Sequence, residues 1–215
     1  RSGKADLLML EDLPPILELE RTHSKALRAL CPGSSLPIIW MRTDQPTYSD
    51  VRVRRAIAMS IDREAIMRTV YFGKGIQAYT MVSALYPQYF LPLEEYPPEV
   101  RQYLEYHPDR AKQLLAEAGF PRGFTTEITA TPLRRTELAI AESMVGFLKE
   151  VGIEAKLTPL SYTEWTGVVL QNKYPALGAG PADASPLDRV WEGTHSKAGI
   201  RNRAYINDPQ IDRIM

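Results

Sequence analysis

Apolar residues recur at helical spacing in two stretches of the second half of the chain. Pro108 suits a first helical turn and Gly119 a helix end. Between these two residues the apolar positions are Ala111, Leu114, Leu115 and Ala118. A second stripe, between Thr136 and Gly152, consists of Ile140, Met144, Leu148 and Val151. These spacings predict two helices that each bury one face.

Strand-like patterns surround these helices. Leu36–Met41 and Phe124–Ala130 are short runs of β-forming residues, and apolar and polar residues alternate from Ile153 to Thr158. Ser161 and Glu164 form a capping-box pattern that predicts a helix through Leu170, after which Tyr174–Gly180 is predicted to be a strand. The order strand, helix, strand, helix, strand predicts crossover connections and an α/β fold with a mixed, partly parallel sheet.

The first half of the chain gives shorter signals. Asp50 is a predicted N-cap for a helix over Val51–Met59, and Asp62 for a helix over Arg63–Tyr71. Prolines and tyrosines are frequent over 78–98, where no clear periodicity exists. That segment is therefore predicted to be an extended connection along the surface.

Length and charge narrow the functional classes. The 215 residues are enough for one large domain, so residues 1–215 are predicted to fold as a single unit. Basic and acidic residues balance at 26 each, which does not favour a nucleic-acid partner. No apolar stretch approaches the roughly 20 residues of a membrane-spanning helix. The start at Arg1, without an initiator Met, and the stop at Met215 suggest a piece of a longer protein.

Several kinds of catalytic or cofactor site are not indicated by the sequence. His23, His107 and His195 are scattered, and Cys31 is the single cysteine, so no metal-binding cluster is predicted. There is no complete glycine-rich phosphate loop and no Gly-x-Ser-x-Gly motif. We therefore expect a protein that is not an enzyme and needs no cofactor and no metal.

Three stretches resemble a known family. They are Pro46–Ile66 (PTYSDVRVRRAIAMSIDREAI), His107–Phe120 (HPDRAKQLLAEAGF) and Tyr205–Asp212 (YINDPQID). The chain resembles the extracytoplasmic solute-binding proteins of family 5, which serve ABC importers of peptides and nickel. The resemblance implies that residues 1–215 are one lobe, on the C-terminal side, of a two-lobed type II periplasmic binding protein, with hinge connections near both ends.

The resemblance also implies partners and a location. The partners are a small solute, with a peptide as the leading candidate, the missing lobe of the same protein and an ABC permease in the membrane. The location is periplasmic or extracellular, with a lipid anchor in the missing N-terminal region as one option. Two alternatives remain open: a hydrolase whose active groups lie between the lobes, and a sensory binding module.

Four residues form the ligand-binding site that the resemblance implies. Asp183 would pair with the α-ammonium group of a peptide, or else be a turn residue ahead of Ser185 and Pro186. Trp165 would stack on the ligand, or else be a core residue of its helix. Gly180 stands where the family usually has a tryptophan, and Arg42 stands where it usually has an asparagine. Arg42 would recognise a carboxylate, or else be exposed to solvent.

Overall fold

The computed structural model describes residues 13–23, 25, 35–132, 135–171, 173–174, 177–183, 191 and 193–214. The strands are β1 (Ser35–Met41), β2 (Thr125–Ala130), β3 (Glu154–Pro159) and β4 (Leu177–Asp183). The helices are α1 (Leu13–Thr22), α2 (Pro46–Ser49), α3 (Val51–Ser60), α4 (Arg63–Thr69), α5 (Pro98–Arg101), α6 (Pro108–Glu117), α7 (Arg135–Glu150), α8 (Tyr162–Leu170) and α9 (Pro209–Ile214). Two 3-10 helices span Leu93–Glu95 and Ser196–Arg201.

The four strands form one mixed sheet in the order β1-β4-β2-β3. Strand β2 runs parallel to both β3 and β4, whereas β1 is antiparallel to β4. The predicted α/β class with a partly parallel sheet is therefore confirmed. The connection from β3 to β4 passes over β2, so the chain reverses its direction of travel across the sheet.

The helix boundaries follow from capping residues. The Asp50 side chain accepts a hydrogen bond from the Arg52 N–H, and the Asp62 side chain accepts one from the Ala65 N–H, which confirms both predicted caps. Helix α4 ends at Thr69, two residues before the predicted end. At α8 both hydrogen bonds of the predicted capping box are present, so this helix begins directly after Ser161.

The main core lies on one face of the sheet. Ile128 of β2 and Leu177 of β4 are fully buried there, against Met144 and Leu148 of α7. The cluster also includes buried residues of α3 and α6. A close turn supports this packing, because a Cβ on Gly123 would lie 1.8 Å from the carbonyl oxygen of Gly152.

A smaller aromatic cluster covers the opposite face. It consists of Trp40, Trp165, Val169 and Tyr174, and Ile38 packs against it. Along β1, Ile38 and Trp40 belong to this cluster, whereas Ile39 and Met41 pack on the main core, as expected for side chains that alternate across a strand. Helices α7 and α8 therefore lie on opposite faces of the sheet.

Candidate ligand-binding edge of the sheet

The carboxyl ends of the parallel strands β2 and β3 meet at one edge of the sheet, and β4 continues beyond them to Asp183. Strands β2 and β3 pair from Thr125 with Glu154 to Ala130 with Pro159, and Ile128 of β2 pairs with Leu177 of β4. The chain leaves β2 toward α7 on one face and leaves β3 toward α8 on the other. In open α/β sheets, connections that diverge in this way leave a crevice at the carboxyl edge where ligands bind.

Asp183 is the last residue of β4 and therefore lies at this carboxyl edge. Its backbone pairs with Ser35, the first residue of β1. The side chain of Asp183 is outside the described part of the structure, as are Ser185 and Pro186. The backbone thus places Asp183 at the edge, and its contact with a ligand ammonium group stays a prediction.

Trp165 is held inside the aromatic cluster. Its side chain is 3% exposed, its indole N–H donates to the carbonyl oxygen of Ala179 at 3.1 Å, and its ring meets Trp40 edge-on at a centroid distance of 6.1 Å. A buried tryptophan usually finds such an acceptor for its N–H group. The burial fits the core interpretation of Trp165, and a ligand contact stays a prediction.

Gly180 provides the space that Trp165 occupies. A Cβ on Gly180 would lie 2.3 Å from Cζ2 of the Trp165 ring. Gly178, two residues earlier on the same face of β4, has the same relation to Trp40, whose Nε1 would lie 2.2 Å from an added Cβ. Both glycines therefore let an indole ring pack directly on the backbone of β4.

Arg42 and Asp183 lie at opposite ends of β4. Arg42 follows Met41, which pairs with Leu177 at the start of β4, so Arg42 is at the amino-terminal end of that strand. Seven residues of β4 separate it from the end at Asp183, which is about 20 Å at the usual rise of a strand. A dipeptide-sized ligand paired with Asp183 would not reach Arg42.

The Arg42 guanidinium is occupied by contacts within the chain. Its Nη2 lies 2.6 Å from Oδ2 of Asp44, its Nη1 donates to the carbonyl oxygen of Tyr174, and its Cζ lies 4.4 Å from the ring centroid of Tyr205. The hydrogen bond with Asp44 raises the pKa of Arg42 and lowers that of Asp44. The side chain is only 16% exposed, so the alternative of a solvent-exposed Arg42 is wrong. Recognition of a ligand carboxylate by Arg42 stays a prediction.

Sequence reasoning missed Tyr162, the first residue of α8. Its side chain is 50% exposed although its ring stacks on Trp165. The available signal was its position directly after the Ser161 cap and three residues before Trp165, which places both aromatic rings on one face of the helix.

A groove at the opposite edge of the sheet was also not foreseen. It has a volume of about 820 Å³ and lies at the amino ends of β2 and β3. Its lining comprises Gln45–Tyr48, Phe124–Glu127, Val145, Lys149 and Glu154–Lys156. No short sequence motif marks this groove, because its lining comes from four separate segments.

The described residues contain neither a metal-binding cluster nor a helix that could span a membrane. No group of three or more His, Cys, Asp or Glu side chains there is placed to share a metal ion. Within the same residues, no helix has both the length and the apolar character that a membrane crossing requires. Cys31, the single cysteine, lies outside the described part.

Comparison with known proteins gives a consistent result. Residues 1–195 match the model of the bacterial extracellular solute-binding proteins, family 5. The chain is 28% identical over 225 residues to heme-binding protein A of Haemophilus influenzae. This alignment covers 100% of this chain and 39% of that protein. The chain is also 28% identical over 138 residues to the dipeptide-binding protein of Escherichia coli, in an alignment that covers 62% of this chain and 24% of that protein.

A solved structure agrees with these sequence matches. HbpA2 from Haemophilus parasuis superimposes with a TM-score of 0.75 at 26% identity, over 99% of this chain and 42% of that structure. The chain therefore spans less than half the length of each of these relatives.

Proposed function

Because this chain belongs to the bacterial extracellular solute-binding proteins, family 5, we propose that it is one lobe of a receptor that captures a small solute and delivers it to an ABC importer. A peptide is the leading candidate for the solute. Residues 1–215 form a single lobe in this proposal, with hinge connections near both ends. The fold is that of type II periplasmic binding proteins of this family. The observation that carries the proposal is the carboxyl edge of the sheet, where β2 and β3 end together and β4 continues to Asp183.

Capture works by closure of two rigid lobes over the ligand. Such closure excludes water from the ligand, so every charge on the ligand needs a partner in the closed cleft. Asp183 at the end of β4 supplies a negative charge at the carboxyl edge, and a peptide carries a positive α-ammonium group. Removal of one partner from a buried ion pair is costly because the other charge is left without compensation.

The remaining partners follow from the same proposal. The second lobe of the same protein closes the cleft, and an ABC permease receives the solute. The protein works outside the cytoplasmic membrane, in the periplasm or attached to the cell surface by a lipid. Binding is noncovalent and leaves the solute chemically unchanged, as expected of a receptor and not of a hydrolase. The matched relatives are named for binding heme and dipeptides, which supports a binding role.

The test is a substitution that removes the Asp183 charge in the full-length protein. Asp183→Asn should weaken the binding of L-alanyl-L-alanine, measured by isothermal titration calorimetry, by at least about 30-fold, because truncation of a buried charge pair costs about 2–5 kcal/mol. Asp109→Asn is the matched control, since the Asp109 side chain on α6 is 94% exposed. N-acetyl-alanyl-alanine, which lacks the ammonium charge, should lose no affinity on Asp183→Asn, because it has no charge pair with Asp183 to break.

The outcomes separate the possibilities. Equal affinities of Asp183→Asn and Asp109→Asn for alanyl-alanine would exclude Asp183 as the ammonium partner. Failure of the wild type to bind alanyl-alanine, glutathione and heme would contradict the proposed capture of these solutes. Release of free alanine from the peptide by the wild type would instead favour the hydrolase alternative.

A further inference from the structure

Tyr162 presents an aromatic ring at the carboxyl edge of the sheet. Strand β3 ends at Pro159, and Tyr162 begins α8 only three residues later. Its side chain is 50% exposed, and its hydroxyl makes no hydrogen bond to the described part of the chain. A large side chain with so much open surface is therefore next to the crevice at the carboxyl ends of β2 and β3.

One face of the Tyr162 ring packs on Trp165. It stacks on Trp165 with 6.3 Å between ring centroids and 18° between ring planes, within the range of aromatic pairs that attract each other. Trp165 is itself fixed by its hydrogen bond to Ala179. The Ser161 capping box fixes the backbone from which Tyr162 projects, because the Ser161 and Glu164 side chains bond reciprocally to the first turn of α8.

We propose that Tyr162 is a specificity-determining residue whose open face binds a planar aromatic group of the solute. This inference rests on the proposed function. A ring that already packs on a buried neighbour loses less conformational entropy when a ligand stacks on it than a fully solvated ring does, so it offers contact area at lower cost. The stack of Tyr162 on Trp165 then continues into the ligand, with the ligand ring as a third layer.

An aromatic group suits this position better than an aliphatic one. Both kinds of group gain from the burial of apolar surface, but a planar ring also gains from the complementary charge distributions of stacked or edge-on rings. The chemical class is therefore a solute that carries a planar π system, such as a peptide with an aromatic side chain. A phenol hydroxyl such as that of Tyr162 can both donate to and accept from a polar group at the ring edge of the ligand.

The test compares two dipeptides in the full-length protein. L-alanyl-L-phenylalanine and L-alanyl-L-leucine have the same backbone and charges and differ in the planar ring. Isothermal titration calorimetry would measure both affinities in the wild type, Tyr162→Ala, Tyr162→Phe and Leu170→Ala. Leu170 is the matched control, because it is the last residue of the same helix, is 54% exposed and lies at the end remote from the carboxyl edge.

The expected pattern is selective. Tyr162→Ala should weaken alanyl-phenylalanine binding by about 10-fold and alanyl-leucine binding by no more than about 2-fold, in line with the strength of aromatic pairs. Tyr162→Phe should retain most of the preference for phenylalanine, and Leu170→Ala should change neither affinity.

Three results would overturn the inference in different ways. An equal effect of Tyr162→Ala and Leu170→Ala would leave peptide capture standing and remove Tyr162 from the site. An equal weakening of both peptides by Tyr162→Ala would assign the ring to closure of the lobes, not to selectivity. Failure of the wild type to bind either peptide would contradict the proposed peptide ligand, and this inference with it.

Discussion

Replacement of Gly180 by alanine tests whether the packing of the aromatic cluster requires a residue without a Cβ in β4. The new Cβ would lie 2.3 Å from Cζ2, 3.0 Å from Cη2 and 3.1 Å from Cε2 of Trp165. Ordinary van der Waals contact begins at 3.4 Å, so the ring would have to retreat by about 1.1 Å, the difference between 3.4 and 2.3 Å. These three atoms belong to a rigid ring system, which cannot bend away.

The retreat of Trp165 is opposed on two sides. Its indole N–H donates to Ala179, the neighbour of Gly180 in the same strand, and Trp40 lies against its edge. Overpacking of a core costs about 1–3 kcal/mol, and a weakened buried hydrogen bond costs about 0.5–1.5 kcal/mol. Replacement of glycine also restricts the unfolded chain, which stabilises by about 0.4–1 kcal/mol. Gly180→Ala should therefore reduce the free energy of unfolding by about 1–3 kcal/mol.

Urea unfolding of the full-length protein, followed by tryptophan fluorescence, measures this loss. Gly167→Ala is the matched control, because Gly167 is on α8 with Trp165 and an added Cβ there meets no atom within 4 Å. In a helix interior this control should stabilise by about 0.5–1 kcal/mol. The two Gly→Ala changes should thus shift the free energy of unfolding in opposite directions.

A second substitution identifies the clash. Phenylalanine lacks the ring of indole that contains Cζ2 and Cη2, so in a Trp165→Phe background Gly180→Ala should cost at least about 1 kcal/mol less than in the wild type. If Gly180→Ala is as well tolerated as Gly167→Ala, or if its cost is the same in both backgrounds, the packing argument is refuted.

Two further predictions concern contacts outside the cluster. Arg42→Met should lower the free energy of unfolding by about 1–3 kcal/mol in the same urea assay, because it removes the hydrogen-bonded pair with Asp44 and the contact with Tyr205. A large loss of alanyl-alanine affinity at unchanged stability would contradict this structural role of Arg42. The Tyr106 hydroxyl donates to Oε2 of Glu150, and this hydrogen bond, with some burial, raises the pKa of Tyr106 to about 12. Because the pKa of this phenol is raised, the stability that its hydrogen bond contributes is complete below the ordinary value near pH 10 and is lost as the pH rises through 12. The difference between the ultraviolet titration curves of the wild type and Tyr106→Phe should therefore show one phenol that ionises near pH 12. A difference curve centred near pH 10 would refute the raised pKa of Tyr106.

The elements of the fold were predictable because their signals are local. The caps at Asp50 and Ser161 act over two or three residues, and the apolar stripe that ends at Val151 repeats every three to four residues. These patterns predicted the strands and the principal helices, including α3, α6 and α8, to within a few residues. The end of β4 was less well predicted, since the strand continues to Asp183 through pairing with β1, a partner more than 130 residues away.

The candidate site was predictable only in part, and Trp165 and Arg42 illustrate the limit. Both carried two interpretations in the sequence, ligand contact or structural residue, and no local pattern distinguishes them. The structure places Trp165 in a buried cluster because Gly178 and Gly180 leave room for indole rings on β4. It places Arg42 beside Tyr174, 132 residues along the chain.

The sequence by itself therefore determined the helices and strands, the α/β class and the resemblance to family 5, since each is written in short periodicities, caps or contiguous motifs. The tertiary structure decided the strand order, the edge at which β2 and β3 end together, and the separation of Arg42 from Asp183. It also revealed the exposed ring of Tyr162 on its buried support. These features depend on contacts between residues far apart in the chain, and such contacts leave no periodic mark in either partner's local sequence.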